Sequence, residues 1–159
     1  MALDYSYQQA AGIPVNDFTV KLHQRAVVEG VLRADSHVEQ LLGRGGLSVG
    51  GAVVSIRPKP PHQLDPVAND FDFAPTVAIN VRLDKFGDLR VQTDELVSLA
   101  VTALQIDPGD SIGHVGYERI WLLRRGGRLV LGNDSIWTPE RLAMVPFAYE
   151  RGDLLFSDG

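Results

Sequence analysis

The chain has 159 residues, of which 45% are hydrophobic and 22% charged, which is the composition of one globular domain. Its formal charge of −5 argues against a protein that binds nucleic acid by neutralising phosphates, and the lack of cysteine excludes disulfides and thiolate metal sites. No apolar run approaches the roughly 20 residues that span a membrane, and the N-terminus lacks the pattern of a secretory signal. We therefore expect neither a membrane partner nor specific nucleic-acid binding.

Residues 1–17 are polar and aromatic without any periodicity, so they predict an N-terminal arm. Tyr5 and Tyr7 would anchor this arm on another subunit. A frayed terminus is an equally good interpretation of the same pattern.

Two helices are predicted next. Asn16 and Asp17 are both suitable N-caps for a helix over residues 16–34. A short helix over residues 36–42 follows, because its first four residues have the spacing of a capping box and a glycine comes directly after it. The predicted inner face of the first helix consists of Val20, Val27, Val28, Val31 and Leu32.

The glycine-rich stretch 43–51 contains Gly46-x-Ser48-x-Gly50, which has the spacing of a hydrolase nucleophile. This motif needs to lead from a strand into a helix, whereas here it follows a helix. The stretch also lacks the glycine spacing of phosphate-binding loops. We interpret it as a loop, and a hydrolase that uses Ser48 is a minor hypothesis.

After a predicted strand over residues 52–57, residues 58–75 form a long connection with four prolines before Pro75. Loops of this length in a compact domain are usually functional or mobile, so we predict an interface here. Phe71 and Phe73 alternate with acidic residues, as in an edge strand. The oxygen ligands of this loop lack the pattern of a calcium site.

Residues 75–105 carry the clearest signal in the chain. Period-2 alternation predicts a half-buried strand over residues 76–83, and a broad apolar stripe predicts a helix over residues 93–105. A strand and a helix joined by a short turn can close their apolar faces on each other. We interpret this unit as the packing core.

The last third predicts a strand within residues 116–123, a hairpin turn over residues 125–128, a short helix that begins at Pro139 and a strand over residues 141–149. A C-terminal tail then carries the apolar triplet 154–156, as a docking point or tucked against the body. The whole pattern predicts an α+β fold: a mixed, mostly antiparallel sheet with two or three helices packed on one face. Residues 18–150 would form this single domain, between the arm 1–17 and the tail 151–159.

The sequence contains few candidates for catalytic or metal-binding groups. The four histidines stand far apart and predict no metal site, and Glu95 and Glu118 form a carboxylate pair only if the fold brings them together. No catalytic constellation emerges. We therefore expect a protein that is not an enzyme and that needs no cofactor.

Residues 26–43 and 142–149 resemble the tail-terminator and neck proteins of tailed bacteriophages, in which a helix, an Ala-Asp corner and a short Val-x-x-Leu-Leu-Gly helix follow one another. The resemblance implies a structural virion protein that forms a ring, commonly hexameric. Such a ring caps the tail tube and joins it to the head-side connector or stopper protein. It would be found in the tail or neck of the virion, and in the host cytoplasm during assembly.

A small acidic binding or immunity-type module that masks a protein partner is the alternative. Its one-to-one stoichiometry would distinguish it from a ring. Under either hypothesis the candidate interface lies in the arm, the loop 58–75, the hairpin tip and the tail. The clustered arginines at the tip are better explained as solvated than as a basic patch. The candidate residues are Tyr5, Tyr7, Lys59, Asp70, Phe71, Phe73, Arg124, Arg125, Leu155 and Phe156.

Overall fold

A computed structural model describes residues 3–157 of the chain, and it confirms the α+β class. The strands are β1 Asp4–Gln9, β2 Gly46–Leu47, β3 Val53–Pro58, β4 Val77–Arg82, β5 Ser111–Val115, β6 Arg119–Arg125, β7 Arg128–Gly132 and β8 Glu150–Gly152. The helices are α1 Val15–Val28, α2 Val38–Leu42, α3 Pro66–Phe71, α4 Leu89–Ile106 and α5 Pro139–Leu142.

All eight strands form one sheet in the order β2-β3-β4-β1-β5-β6-β7-β8. Every neighbouring pair is antiparallel except β7 and β8, which are parallel. Both edges of the sheet are short, since β2 has two residues and β8 has three.

The prediction of an N-terminal arm is wrong for residues 4–9, which form β1 in the middle of the sheet. Apolar alternation is absent from this strand because its buried positions are Tyr7, Gln8 and Gln9, whose polar groups make their contacts inside the fold. The Tyr7 hydroxyl donates to Gln9 Oε1 at 2.6 Å, and Gln9 Nε2 donates to the Asp107 carbonyl at 3.0 Å. Residues 1–2 of the predicted arm and 158–159 of the predicted tail lie outside the described residues.

One face of the sheet packs against α1 and α4, and the large core lies between them. In β4, Val77, Ile79 and Val81 face this core as predicted, and α4 confirms the predicted helix with one more turn at its start. The Asp88 side chain caps α4 by accepting from the amides of Arg90 and Val91.

Helix α1 is shorter than predicted, and its inner face differs. It ends at Val28 because Gly30, at φ +75°, closes a Schellman motif in which the Val31 amide donates to the Ala26 carbonyl at 2.8 Å. The helix therefore buries Phe18, Thr19, Leu22 and Ala26. Two predicted core valines are on the outside, with Val20 40% and Val28 86% exposed.

The N-cap of α2 is His37 and not Ser36. The capping box is present, with Gln40 in the place predicted for Glu39: its Oε1 accepts from the His37 amide at 2.8 Å. The Ser36 hydroxyl instead donates to the Arg33 carbonyl at 2.5 Å, which fixes the corner between α1 and α2.

The opposite face of the sheet differs from the prediction. The stretch 58–75 contains α3, whose N-cap Asp65 accepts from the Val67 amide at 3.0 Å, so Phe71 and Phe73 do not form an edge strand. The predicted strand over 141–149 is absent, because the last described strand, β8, begins only at Glu150. Strand β5 is present but was not predicted. The hairpin turn between β6 and β7 and the helix that begins at Pro139 are confirmed.

No helix in residues 3–157 has both the length and the apolar character needed to cross a membrane.

Candidate functional site

Two surfaces stand out from the rest of the described chain. The first, which we call the α3 surface, consists of α3 together with residues 153–157, and both lie on the face of the sheet opposite α1 and α4. Val67 and Phe73 pack there on Ile112, Ile120 and Leu123 of β5 and β6. Leu154 and Phe156 pack on the same cluster, so two segments distant in sequence share one small core.

The C-terminal segment is also held by polar contacts. The Ser157 amide and hydroxyl donate to the two oxygens of the Asp70 carboxylate, each at 2.7 Å. The Asn133 side chain donates to Asp153 Oδ1 at 2.9 Å. Residues 153–157 are therefore fixed at both ends and by the apolar side chains between them.

Aromatic rings form the centre of the α3 surface. The rings of His114 and Tyr117 stack with centroids 4.2 Å apart, and Phe156 meets both of them edge-on at 5.9 and 5.8 Å. Phe71 meets Phe156 from the other side at 5.3 Å, also edge-on. Edge-to-face pairs of this kind stabilise a fixed arrangement of rings beyond the area they bury.

Tyr117 holds an unusual backbone conformation in the turn between β5 and β6. Its φ is +57°, in the left-handed region that costs a bulky residue about 1–2 kcal/mol. The Tyr117 amide donates to His114 Nδ1 at 3.1 Å, and this bond together with the ring stack compensates the strain. The turn thus places the tyrosine ring over the histidine at an energetic cost.

His114 is buried, and burial together with the nearby charge of Lys59 lowers its pKa to about 4, against an opposing effect of Asp65. The ring is therefore neutral at pH 7. Because Nδ1 accepts a hydrogen bond, the ring proton resides on Nε2, which lies 3.1 Å from the Gln8 side-chain amide. A hydrogen bond at that contact requires the amide oxygen of Gln8 to face the ring.

Lys59 borders this cluster. Its ammonium lies 3.4 Å from Asp65 Oδ2 and 5.9 Å from the centre of the Tyr117 ring. A cleft of about 470 Å³ opens beside Tyr117 and Phe156, between α3 and Ser157. A second cleft, of about 240 Å³, opens on the other side of residues 153–155.

The second surface, which we call the α4 loop surface, consists of the loops 47–53 and 84–88 beside the start of α4. Buried polar side chains of α4 hold both loops from beneath. Glu95 accepts from the Ser48 hydroxyl at 2.8 Å and from the Gly50 amide at 2.9 Å. Gln92 accepts from the Asp84 amide at 2.6 Å and donates to the Asp84 carbonyl at 2.9 Å.

These loops present many apolar side chains to solvent. Of the twelve large apolar side chains that are exposed in residues 3–157, six lie on or beside them: Leu47, Val49, Val53, Phe86, Leu89 and Val91. Phe86 at the tip is 88% exposed. A cleft of about 460 Å³ lies next to it, lined in part by Leu3, Val53 and Leu83.

Family comparison covers most of the chain. The SitI3-like family model matches residues 3–141, which include the whole α4 loop surface and α3 but not residues 153–157. The chain belongs to the SitI3-like family. The search of curated proteins and the search of solved structures returned no match. Nothing in these comparisons bears on the resemblance to tail-terminator proteins, which stays a prediction.

The structure brings together six of the candidate interface residues from the sequence. All six lie on or beside the α3 surface: Lys59, Asp70, Phe71, Phe73, Leu155 and Phe156. They come from the loop 58–75 and from the tail, the two segments selected as interfaces. Phe73 is nevertheless buried, so it supports this surface from beneath.

The other four candidates lie elsewhere. Tyr7 is 1% exposed, so its side chain is not available to a second subunit, and Tyr5 packs in part against the same large core. Arg124 is buried, and it donates to the carbonyls of Leu104, Asp107 and Gly109 at the end of α4. Arg125 alone among them is exposed, at the tip of the hairpin.

The residues with candidate chemistry have structural roles. Ser48 is fully buried and its proton is directed at Glu95, so the serine anchors a loop. Glu118 lies in the exposed turn after Tyr117 and is not part of the Glu95 network. Within residues 3–157 no group of three or more histidine and acidic side chains is arranged to hold a metal ion.

Gln8, His114 and Tyr117 were not predicted as site residues. Gln8 lies in a stretch without apolar alternation, and a lone histidine carries no pattern. The Gly116-Tyr117 pair is the one available signal, since a glycine in a short connection between strands is typical of a turn with positive φ.

Proposed function

We propose that this protein is a small binding module of the immunity type, which acts by binding and masking a protein partner. Membership of the SitI3-like family over residues 3–141 carries this proposal, because the family name suggests an immunity-type protein. The net charge of −5 favours a partner with a basic surface.

The geometry supports binding over chemistry. Both candidate surfaces are rigid: aromatic stacking holds one and buried hydrogen bonds hold the other. Rigid presentation lowers the entropy lost on association, which is what a tight masking protein requires. The expectation that the protein is not an enzyme is part of this proposal.

The test is to isolate the partner and measure what the chain does to it. The tagged full chain would recover the partner from its source cells, and the purified pair would be examined by native mass spectrometry and by an assay of the partner's own activity. We expect a one-to-one complex in which that activity is suppressed in proportion to the bound fraction. A complex that leaves the partner fully active would overturn the masking role.

The tail-terminator hypothesis remains a second proposal, favoured by one observation: residues 26–43 form the helix, corner and short helix that the resemblance implies. In that role the chain would form a ring, with six copies as the commonest order, on the tail tube and against the head-side connector or stopper, in the virion. A native mass equal to a closed ring would support it, and a monomer that pairs one-to-one with its partner would contradict it.

A further inference from the structure

Resting on the proposed immunity-type function, we propose that the α3 surface is where the partner docks, and that the docking surface of the partner is cationic with apolar side chains among its charges.

Charge is the first argument. Four carboxylates line the two clefts of the α3 surface, from Asp70, Glu118, Asp134 and Asp153, whereas a single cation, Arg119, lines them. Arg119 is already paired with Asp134, with its Nε 2.9 Å from Oδ2. Lys59 beside the clefts is likewise paired with Asp65. The surface therefore presents negative charge that this chain does not neutralise, and a basic partner complements it.

Exposed apolar side chains are the second argument. Leu64 is 76%, Leu155 78% and Tyr117 38% exposed, and all three line the clefts among the carboxylates. Residues 153–157 alternate, with Leu154 and Phe156 turned to the sheet and Leu155 turned to solvent. Apolar anchors surrounded by charge are the usual anatomy of a protein-binding surface.

Backbone strain beside the rings is the third argument. Tyr117 holds a φ of +57°, which is costly for a bulky residue, and this conformation places its ring over His114. Strained backbone of this kind is concentrated at functional sites, so it marks the ring cluster as shaped for something beyond stability.

The α4 loop surface lacks this charge bias. Its cleft is lined by two carboxylates and two cations, from Asp4, Asp84, Arg82 and Lys85. An apolar partner without net charge would fit it, so the two surfaces predict partners of different chemistry. This difference lets one experiment distinguish them.

The experiment follows backbone amide shifts of the full chain by NMR during titration with a short synthetic peptide of alternating lysine and leucine. We expect the largest shifts in residues 64–72, 114–120 and 153–157. A peptide of alternating glutamate and leucine should produce none there. Shifts that are largest in residues 47–53 and 84–91, or equal for both peptides, would overturn the proposal.

A charge-reversal pair provides the matched control. Glu118→Lys with Asp153→Lys changes the α3 surface, whereas Asp35→Lys with Glu140→Lys changes exposed residues elsewhere by the same net charge. We expect the first pair to weaken peptide binding about tenfold, equivalent to about 1.4 kcal/mol, and the second pair to leave it within about twofold. Equal weakening by both pairs would mean that only net charge matters, and would overturn the assigned surface.

Failure of this inference differs from failure of the proposed function. Suppose that the wild-type chain forms an inhibitory one-to-one complex with its partner. If the double variant Glu118→Lys, Asp153→Lys binds that partner equally well, the proposed function stands and the assigned docking surface is wrong. If no such complex forms with wild type, the function itself fails.

Discussion

The α3 surface and the α4 loop surface reach rigidity by different routes. The α4 loops are close together in space because one helix, α4, holds both of them through buried Glu95 and Gln92. The α3 surface joins the loop 58–75 to residues 153–157, and aromatic rings hold the two segments together. Buried hydrogen bonds to a single helix therefore fix the loops of one surface. In the other, ring packing joins two distant segments, with the hydrogen bonds between Ser157 and Asp70 at its edge.

The two surfaces also differ in how much of each is covered by the match to the family. The SitI3-like match covers the α4 loops completely, but it ends before residues 153–157. The family match thus covers strands β1 to β7, helices α1 to α4 and the α4 loops. The C-terminal part of the α3 surface stands on its own geometry and charge.

The largest expected effect comes from removing the anchor of the α4 loops. Glu95→Ala leaves the Ser48 hydroxyl and the Gly50 amide without their acceptor in a buried site, so we expect the free energy of unfolding to fall by about 3 kcal/mol. Urea denaturation measures this. Glu95→Gln keeps one acceptor oxygen and should lose about half as much. If Glu95→Ala also moved the amide shifts of residues 114–117, the two surfaces would not be independent.

An intermediate effect is expected at the α3 surface as the pH falls. The folded pKa of His114, about 4, lies below the ordinary value of 6.5, so between these values the unfolded chain binds the proton and the folded chain does not. The contribution of neutral His114 to the free energy of unfolding is therefore fully present above pH 6.5 and is lost as the pH falls towards 4. Between pH 7.5 and pH 5 this loss is about 2 kcal/mol.

His114→Gln is the control for that prediction, because glutamine retains an acceptor for the Tyr117 amide but does not titrate. The wild type should lose about 2 kcal/mol more than the variant between pH 7.5 and pH 5, measured by urea denaturation at both values. Equal losses in the two proteins would show that the histidine titrates in the folded state as it does in the unfolded one.

The smallest effects contrast two phenylalanines. Phe156→Ala removes a ring that contacts Phe71, His114 and Tyr117, so we expect a loss of about 1.5 kcal/mol and faster amide exchange in residues 153–157. Phe86→Ala removes a side chain that is almost fully exposed, and its stability should stay within about 0.5 kcal/mol of wild type. A large loss for Phe86→Ala would show that this ring packs against the fold.

Periodic segments were the predictable part of the fold. Strand β4 and helix α4 follow directly from alternation and from an apolar stripe, since their inner faces meet a single core. Strand β1 could not be predicted in this way, because Gln8 meets His114 of β5, Gln9 donates to Asp107 in the α4–β5 turn, and only the tertiary fold creates these contacts.

Irregular backbone disturbs the sequence pattern of β6, a strand that the sequence predicts only approximately, within residues 116–123. Between β5 and β6 the register shifts at Gly113 and His114, so Trp121 and Leu122 both face the large core while Ile120 and Leu123 face the small one. A bulge of this kind removes the alternation that a sequence pattern depends on. Two of the segments predicted as interfaces, the loop 58–75 and the tail, meet on one surface, and their meeting requires the sheet to place β5 and β6 beneath both.

The short edge strands have a consequence for how this protein meets other chains. A long exposed edge offers a row of unpaired amides and carbonyls that can template further strands, and it is a common route to aggregation. Here the two edge strands are short, with two residues in β2 and three in β8. Strand addition by a foreign peptide is therefore disfavoured along β2 and β8. A partner of the proposed kind would be recognised by side chains on the faces of the sheet.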